Sequence, residues 1–200
     1  MTPGGMLIFD MDGTLTVPVL DFDAIRAEIG LPPGPILESL AQLDAAARSR
    51  ADAVLEAHER RAAEGARLHA GAAETLAAVR QRGWPVAILT RNARRWAEHV
   101  IRRFDLAVDF LRTRDDGVIK PSPQPVLELC AAAQAAPRAS WMIGDHLIDL
   151  QTGHAAGCTT VLMIGDRQRP DCADQADHVI TRLSMLIDLL PPCQRPRTSR

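Results

Sequence analysis

The chain has 200 residues, of which 46% are hydrophobic and 24% charged, with a formal charge of -2 at pH 7. That profile fits one globular domain carrying an insertion, or one and a half small ones, and it argues against a chain disordered throughout. No apolar run approaches the roughly 18 residues of a membrane span, and the net negative charge removes the bulk electrostatic case for nucleic-acid binding.

The first residues, Met1 to Gly5, carry no basic side chain, and the apolar stretch after them ends at two aspartates. The N-terminus therefore does not read as a signal peptide. Met6-Leu7-Ile8-Phe9 reads as a buried strand of the parallel-sheet kind. Phe22, Ile25 and Ile29 then recur at helical spacing, with Gly30 as the stop. Leu31-Pro32-Pro33-Gly34-Pro35 breaks the chain, and Ile36, Leu37, Leu40 and Leu43 fit a second helix. From Asp44 to about Leu68 the chain is rich in Ala, Arg and Glu, which predicts a long or interrupted helix with Gly65 as the interruption. Residues 17–69 are thus all-helical and thinly apolar, the pattern of an insertion lying over something else.

After Gly71 the rhythm alternates. Helices are expected at Ala72 to Gln81, Ala93 to Phe104, Pro125 to Ala135, Leu147 to Ala156 and Leu183 to Leu190. Strands are expected at Pro85 to Leu89, Val108 to Arg112 (weak), Trp141 to Ile143, Thr159 to Ile164 and His178 to Thr181. This alternation predicts an α/β fold: a Rossmann-like parallel sheet with helices on both faces. Residues 1–16 and 70–190 would form that core, 17–69 a small all-helical cap, and the polar, Pro-rich stretch 191–200 a flexible tail.

Cys130, Cys158, Cys172 and Cys193 form no C-x-x-C pair. They read as reduced thiols of a cytoplasmic protein rather than a disulfide framework or a zinc site. Of the 23 basic residues only Lys120 is lysine. A lone compact ammonium among guanidinium forks marks a place where the fork does not fit.

In open parallel sheets, ligands bind beyond the carboxyl ends of the strands. Strand one ends in Asp10-Met11-Asp12-Gly13-Thr14, strand two in Thr90-Arg91-Asn92, and strand four in Gly144-Asp145 with Asp149 one helical turn on. Lys120 precedes Pro121 in the connection between strands three and four. Each residue has a bland reading as a turn residue, a helix cap or a solvated face. Jointly the bland reading must explain several strand ends at once. Clustered carboxylates favour a divalent cation, and oxygen-only ligands at few positions suit Mg²⁺ shared with a substrate phosphate. One ionised aspartate can attack phosphorus, and the other can serve as acid and then base. Lys120 and Thr90 suit the transferring phosphoryl oxygens.

These residues resemble the four motifs of the haloacid dehalogenase-like hydrolases, in order and spacing, from residue 6 to about 165. Lys120-Pro121-Ser122-Pro123 and the helical insertion after the first motif are similar to the phosphoglycolate phosphatase branch with its small cap. The resemblance implies Asp10 as nucleophile and Mg²⁺ ligand, and Asp12 as acid/base with its backbone carbonyl on the metal. It implies Asp145 as the other protein ligand, supported by Asp149. Thr90, the backbone after it and Lys120 would bind the phosphoryl group. Asp12 favours a phosphatase over a dehalogenase, since dehalogenases of the family lack that aspartate. The expected activity is Mg²⁺-dependent hydrolysis of a small phosphomonoester through an aspartyl-phosphate. Its partner is a small phosphorylated metabolite, with neither nucleic acid nor membrane, and the chain would be a monomer or a weak dimer.

The chain also departs from the branch. Leu15-Thr16-Val17-Pro18 replaces its usual Val-Asp-Ser continuation, and Arg91 stands between Thr90 and Asn92. Arg91 and Asn92 are candidates for contact with the substrate. Met163-Ile164-Gly165-Asp166 duplicates Met142-Ile143-Gly144-Asp145, but Pro170 stands where the later acid should be, so the first copy is the candidate. Asp115-Asp116-Gly117 reads as a loop that follows no convincing strand. Three rivals remain: a phosphoryl-transferring mutase of the same fold, a non-catalytic binding protein, and a nucleic-acid module using the arginines from Arg91 to Arg103. His146 reads as an exposed or supporting neighbour of the site.

Overall fold

A computed structural model describes residues 4–191. Cys193 and all but the first residue of the expected tail lie outside the described residues. Six strands form one sheet: β1 (Leu7–Phe9), β2 (Val86–Leu89), β3 (Phe110–Arg112), β4 (Trp141–Gly144), β5 (Thr159–Met163) and β6 (His178–Ile180). Their order is β3-β2-β1-β4-β5-β6, and every pairing is parallel. The chain therefore builds outward from β1 to one side, then crosses to β4 on the other. That reversal puts the ends of β1 and β4 side by side, with Phe9 opposite Ile143 and the Asp10 amide donating to the Ile143 carbonyl over 2.8 Å.

The helices are α1 (Phe22–Ile29), α2 (Ile36–Leu40), α3 (Ala45–Glu64), α4 (Ala72–Gln81), α5 (Arg94–Arg103), α6 (Gln124–Ala132), α7 (Leu147–Ala156) and α8 (Leu186–Leu189). Alternation along the strands sends Met6, Ile8, Ala87, Leu89 and Met142 to one face of the sheet. There they pack with Val126, Leu129 and Cys130 of α6 and Ala156 of α7. Leu7, Phe9, Val86 and Ile88 point the other way and are also fully buried. Covering on both faces is why β1, β2 and β4 read as unbroken apolar runs. Each such side chain contributes about 1.5–3 kcal/mol by leaving water.

Val19–Ala66 forms a compact unit of its own, distinct from the sheet-bearing remainder. Its core is Ile25, Ile36, Leu40, Ala51 and Leu55, with Leu43 packed alongside. Asp21 and Asp44 cap α1 and α3 through their carboxylates, and Gly30 ends α1 in the left-handed conformation, φ 82°. Two expectations change here. The second helix stops at Leu40, and Leu43 reaches the core from the turn that follows. The long helix is not interrupted at Gly65 but ends there, and Leu68 instead bridges to Thr16 beside β1.

Elsewhere the last expected helix, Leu183 to Leu190, divides into a 3-10 turn at Leu183–Met185 and the four-residue α8. Asp115 and Asp116 do follow a strand. That strand, β3, is a three-residue edge strand whose residues are only half-buried, so its pattern is weak.

Candidate active site

Asp10 leaves the end of β1 with its residue surface only 8% exposed. Asp12, two residues on, is half-buried. Its carboxylate accepts from the Thr16 hydroxyl at 3.0 Å and from the Asn92 side-chain amide. Asn92 is therefore bonded to Asp12, while its own amide N–H donates to the Thr90 hydroxyl at 3.2 Å. Thr90 is buried at the end of β2. The Arg91 carbonyl accepts from Arg114 at 3.2 Å.

Lys120 is buried, and its ammonium donates to Asp10 Oδ1 at 2.5 Å and to Asp149 Oδ1 at 2.7 Å. The two residues are 110 and 29 positions away in sequence. Asp149 is buried on the first turn of α7, and its other oxygen accepts from the His146 amide at 3.1 Å. The His146 ring nitrogen Nδ1 accepts from the Ile148 amide at 3.3 Å, so His146 caps the helix. Burial alone would lower the Lys120 pKa, but the carboxylates of Asp10 and Asp149 outweigh it and hold the ammonium above its ordinary range.

Oxygens of Asp10, Asp145 and Asp149 lie within 4.8 Å of one another. Burial pushes the Asp10 carboxyl up, Lys120 opposes it, and Asp149 and Asp145 push further in the same upward direction. Asp145 is raised as well, by burial and then by Asp149, against the pull of Arg167. Two glycines permit this crowding. At Gly13, φ 84°, a Cβ would lie 2.2 Å from Asp145 Oδ2, and at Gly144 a Cβ would lie 2.2 Å from the Asp149 side chain. The all-oxygen donor set and its crowded negative charge fit a hard dication of the Mg²⁺ kind. The Asp12 side chain is not a member of this group of three.

Arg167 escaped the reading of the sequence. Its Nη1 lies 3.0 Å from Asp145 Oδ2. It directly follows the duplicated Met163-Ile164-Gly165-Asp166 motif, just past β5, and β5 pairs directly with β4. The duplicate lacks the later acid, but the pairing of β5 with β4 brings its end beside Asp145. His69 was also missed. Burial lowers its pKa, a bond to the Gly13 backbone opposes this, and the charges of Arg167 and Asp166 act on it as well.

Residues 6–157 match the family model described as haloacid dehalogenase-like hydrolase. An uncharacterized hydrolase of Saccharomyces cerevisiae is 31% identical over 92% of this chain and 89% of its own length. A phosphoglycolate phosphatase of Haemophilus influenzae is 28% identical over 76% of this chain and 82% of its own. Among solved structures, a hydrolase from Pseudomonas syringae superposes with a TM-score of 0.80, covering 94% of this chain and all 100% of its own at 19% identity. That likeness concerns the fold. The matched segment runs from β1 through α7, and so takes in Asp10, Thr90, Lys120 and Asp145 together. With the parallel sheet and the acidic cluster at its carboxyl edge, the chain belongs to the haloacid dehalogenase-like hydrolases.

Proposed function

We propose that this hydrolase is a Mg²⁺-dependent phosphatase of small phosphomonoesters, working through a phosphoryl group carried on Asp10. The observation that supports it best is Asp10 itself. It is a nearly buried carboxylate at a strand end, held by one ammonium and grouped with two further carboxylates.

In this reading Asp10 attacks phosphorus through Oδ2, since Oδ1 is bonded to Lys120. The bond from phosphorus to the leaving oxygen breaks, and Asp12 delivers a proton to that oxygen. Asp12 then takes a proton from water, which attacks phosphorus, breaks the Asp10–phosphorus bond and releases phosphate. Thr16 and Asn92 orient the Asp12 carboxylate for both steps. Thr90, the backbone after it and Lys120 bind the phosphoryl oxygens. Asp10, the Asp12 carbonyl and Asp145, with Asp149 in support, would hold Mg²⁺, which when bound would supply positive charge against the phosphoryl oxygens. The helical unit Val19–Ala66 is the cap of such an enzyme, and residues 4–18 and 67–191 its catalytic core.

The test is phosphate release from a panel of phosphomonoesters, including phosphoglycolate and several sugar phosphates, with and without Mg²⁺. Asp10→Asn is expected to lose at least a thousandfold in kcat, and release by the wild type to require Mg²⁺. Release that survives Asp10→Asn, or that proceeds equally in EDTA, would defeat the reading.

A further inference from the structure

Asp145 is enclosed from two sides. Gly13 packs so closely against its carboxylate that no side chain fits between them. On another side stands the Arg167 guanidinium, 3.0 Å from Oδ2. That guanidinium is not a stray surface group. Its nitrogens donate to the carbonyls of Met163 at 2.9 Å, Ile164 at 3.2 Å and Asp145 at 3.4 Å, so the turn after β5 sets its position. Its side chain is nevertheless 49% exposed, against 13% for Asp145. Arg167 is thus the solvent-facing partner of the pair and Asp145 the enclosed one.

We propose that Arg167 is a resident counter-ion of Asp145 that competes with the divalent cation for this carboxylate and so weakens cation binding. The inference rests on the metal reading above. Arg167 and Lys120 share the neutralisation of the acidic group, Arg167 at Asp145 and Lys120 at Asp10 and Asp149. A cation arriving at Asp145 must displace the guanidinium or bind beside its charge. Either way a unit positive charge a few ångströms from a dication costs on the order of tenfold in affinity when solvent screens the pair.

The experiment is calorimetric titration of Mg²⁺ into the wild type, Arg167→Met and Arg167→Lys at one pH and ionic strength, with thermal melts in EDTA and in saturating Mg²⁺. Arg167→Met is expected to bind Mg²⁺ roughly tenfold more tightly. Arg167→Lys should fall between it and the wild type, because an ammonium keeps the charge but loses the fork that grips the carbonyls. Arg167→Met should melt below the wild type in EDTA, and Mg²⁺ should narrow that gap. Equal or weaker Mg²⁺ binding by Arg167→Met and Arg167→Lys overturns the competition while leaving the metal reading standing. An absence of binding by every variant and the wild type overturns both.

Discussion

Lys120 is the chain's sole lysine, and it is enclosed between two carboxylates. A guanidinium there would have to fit a broader plane into a space that leaves the lysine residue 3% exposed. Removing the ammonium leaves Asp10 and Asp149 buried without their cation. Lys120→Met is therefore expected to lose about 3–5 kcal/mol of stability in EDTA, measured by urea denaturation, and to regain part of it in Mg²⁺. Lys120→Arg should also destabilise, through overpacking, by about 1–3 kcal/mol. An unchanged denaturation midpoint for Lys120→Met would show that another group neutralises these acids.

Among the elements, β3 shows how an edge is secured with few apolar residues. Asp116, in the turn after β3, accepts from Arg94 of α5 at 2.8 and 2.7 Å. It also accepts from the Thr113 amide and hydroxyl at 2.8 and 2.9 Å. Burial alone would raise the Asp116 pKa, but these hydrogen bonds together bring it below its ordinary value. The linkage sign follows. A depressed folded pKa contributes stability above the unfolded value of about 3.9, and that contribution is lost as pH falls through the folded pKa. Asp116→Asn should cost about 1–2 kcal/mol at pH 7, discounted for the part-exposed arginine. The difference from the wild type should begin to narrow only below about pH 4 and close as pH falls through the depressed folded pKa, and a difference independent of pH would contradict the ion-pair account.

For the whole molecule, the two compact units differ in how much core they have. Val19–Ala66 closes around five buried residues, whereas the sheet-bearing unit buries whole strands on both faces. A unit of that size is marginal by itself, and local opening follows local core content. Hydrogen exchange should therefore show amides of α3 exchanging through lower-energy openings than those of β1 and β4. Leu55→Ala should widen that gap by about 2–4 kcal/mol in the helical unit while leaving β1 and β4 protection nearly unchanged until global unfolding. Equal protection in both units would mean that they open as one.

How much was readable before the fold depended on the range of each signal. The apolar runs of β1, β2 and β4 and the glycine stops of α1 and α7 are local, and their boundaries were legible within a residue or two. Asp10, Thr90 and Asp145 stood out as candidates because strands of a parallel sheet present their ends at one edge, and Lys120 because it is the sole lysine. The extent of α2 and the division of the last helix were not, and the strand before Asp115 was legible only weakly, as Val108 to Arg112 against the observed Phe110–Arg112, because short elements depend on what packs against them more than on their own pattern.

By itself the sequence determined the alternating strands and helices, the helical insertion, and the group of acids with one lysine. These follow from periodicity and residue chemistry over short stretches. Only the tertiary structure decided that Lys120 bridges Asp10 and Asp149, that Gly13 presses against Asp145, and that the duplicate motif delivers Arg167 to the same carboxylate. Those contacts join positions far apart in the chain, and the β1–β4 crossing and the pairing of β5 with β4 bring them together.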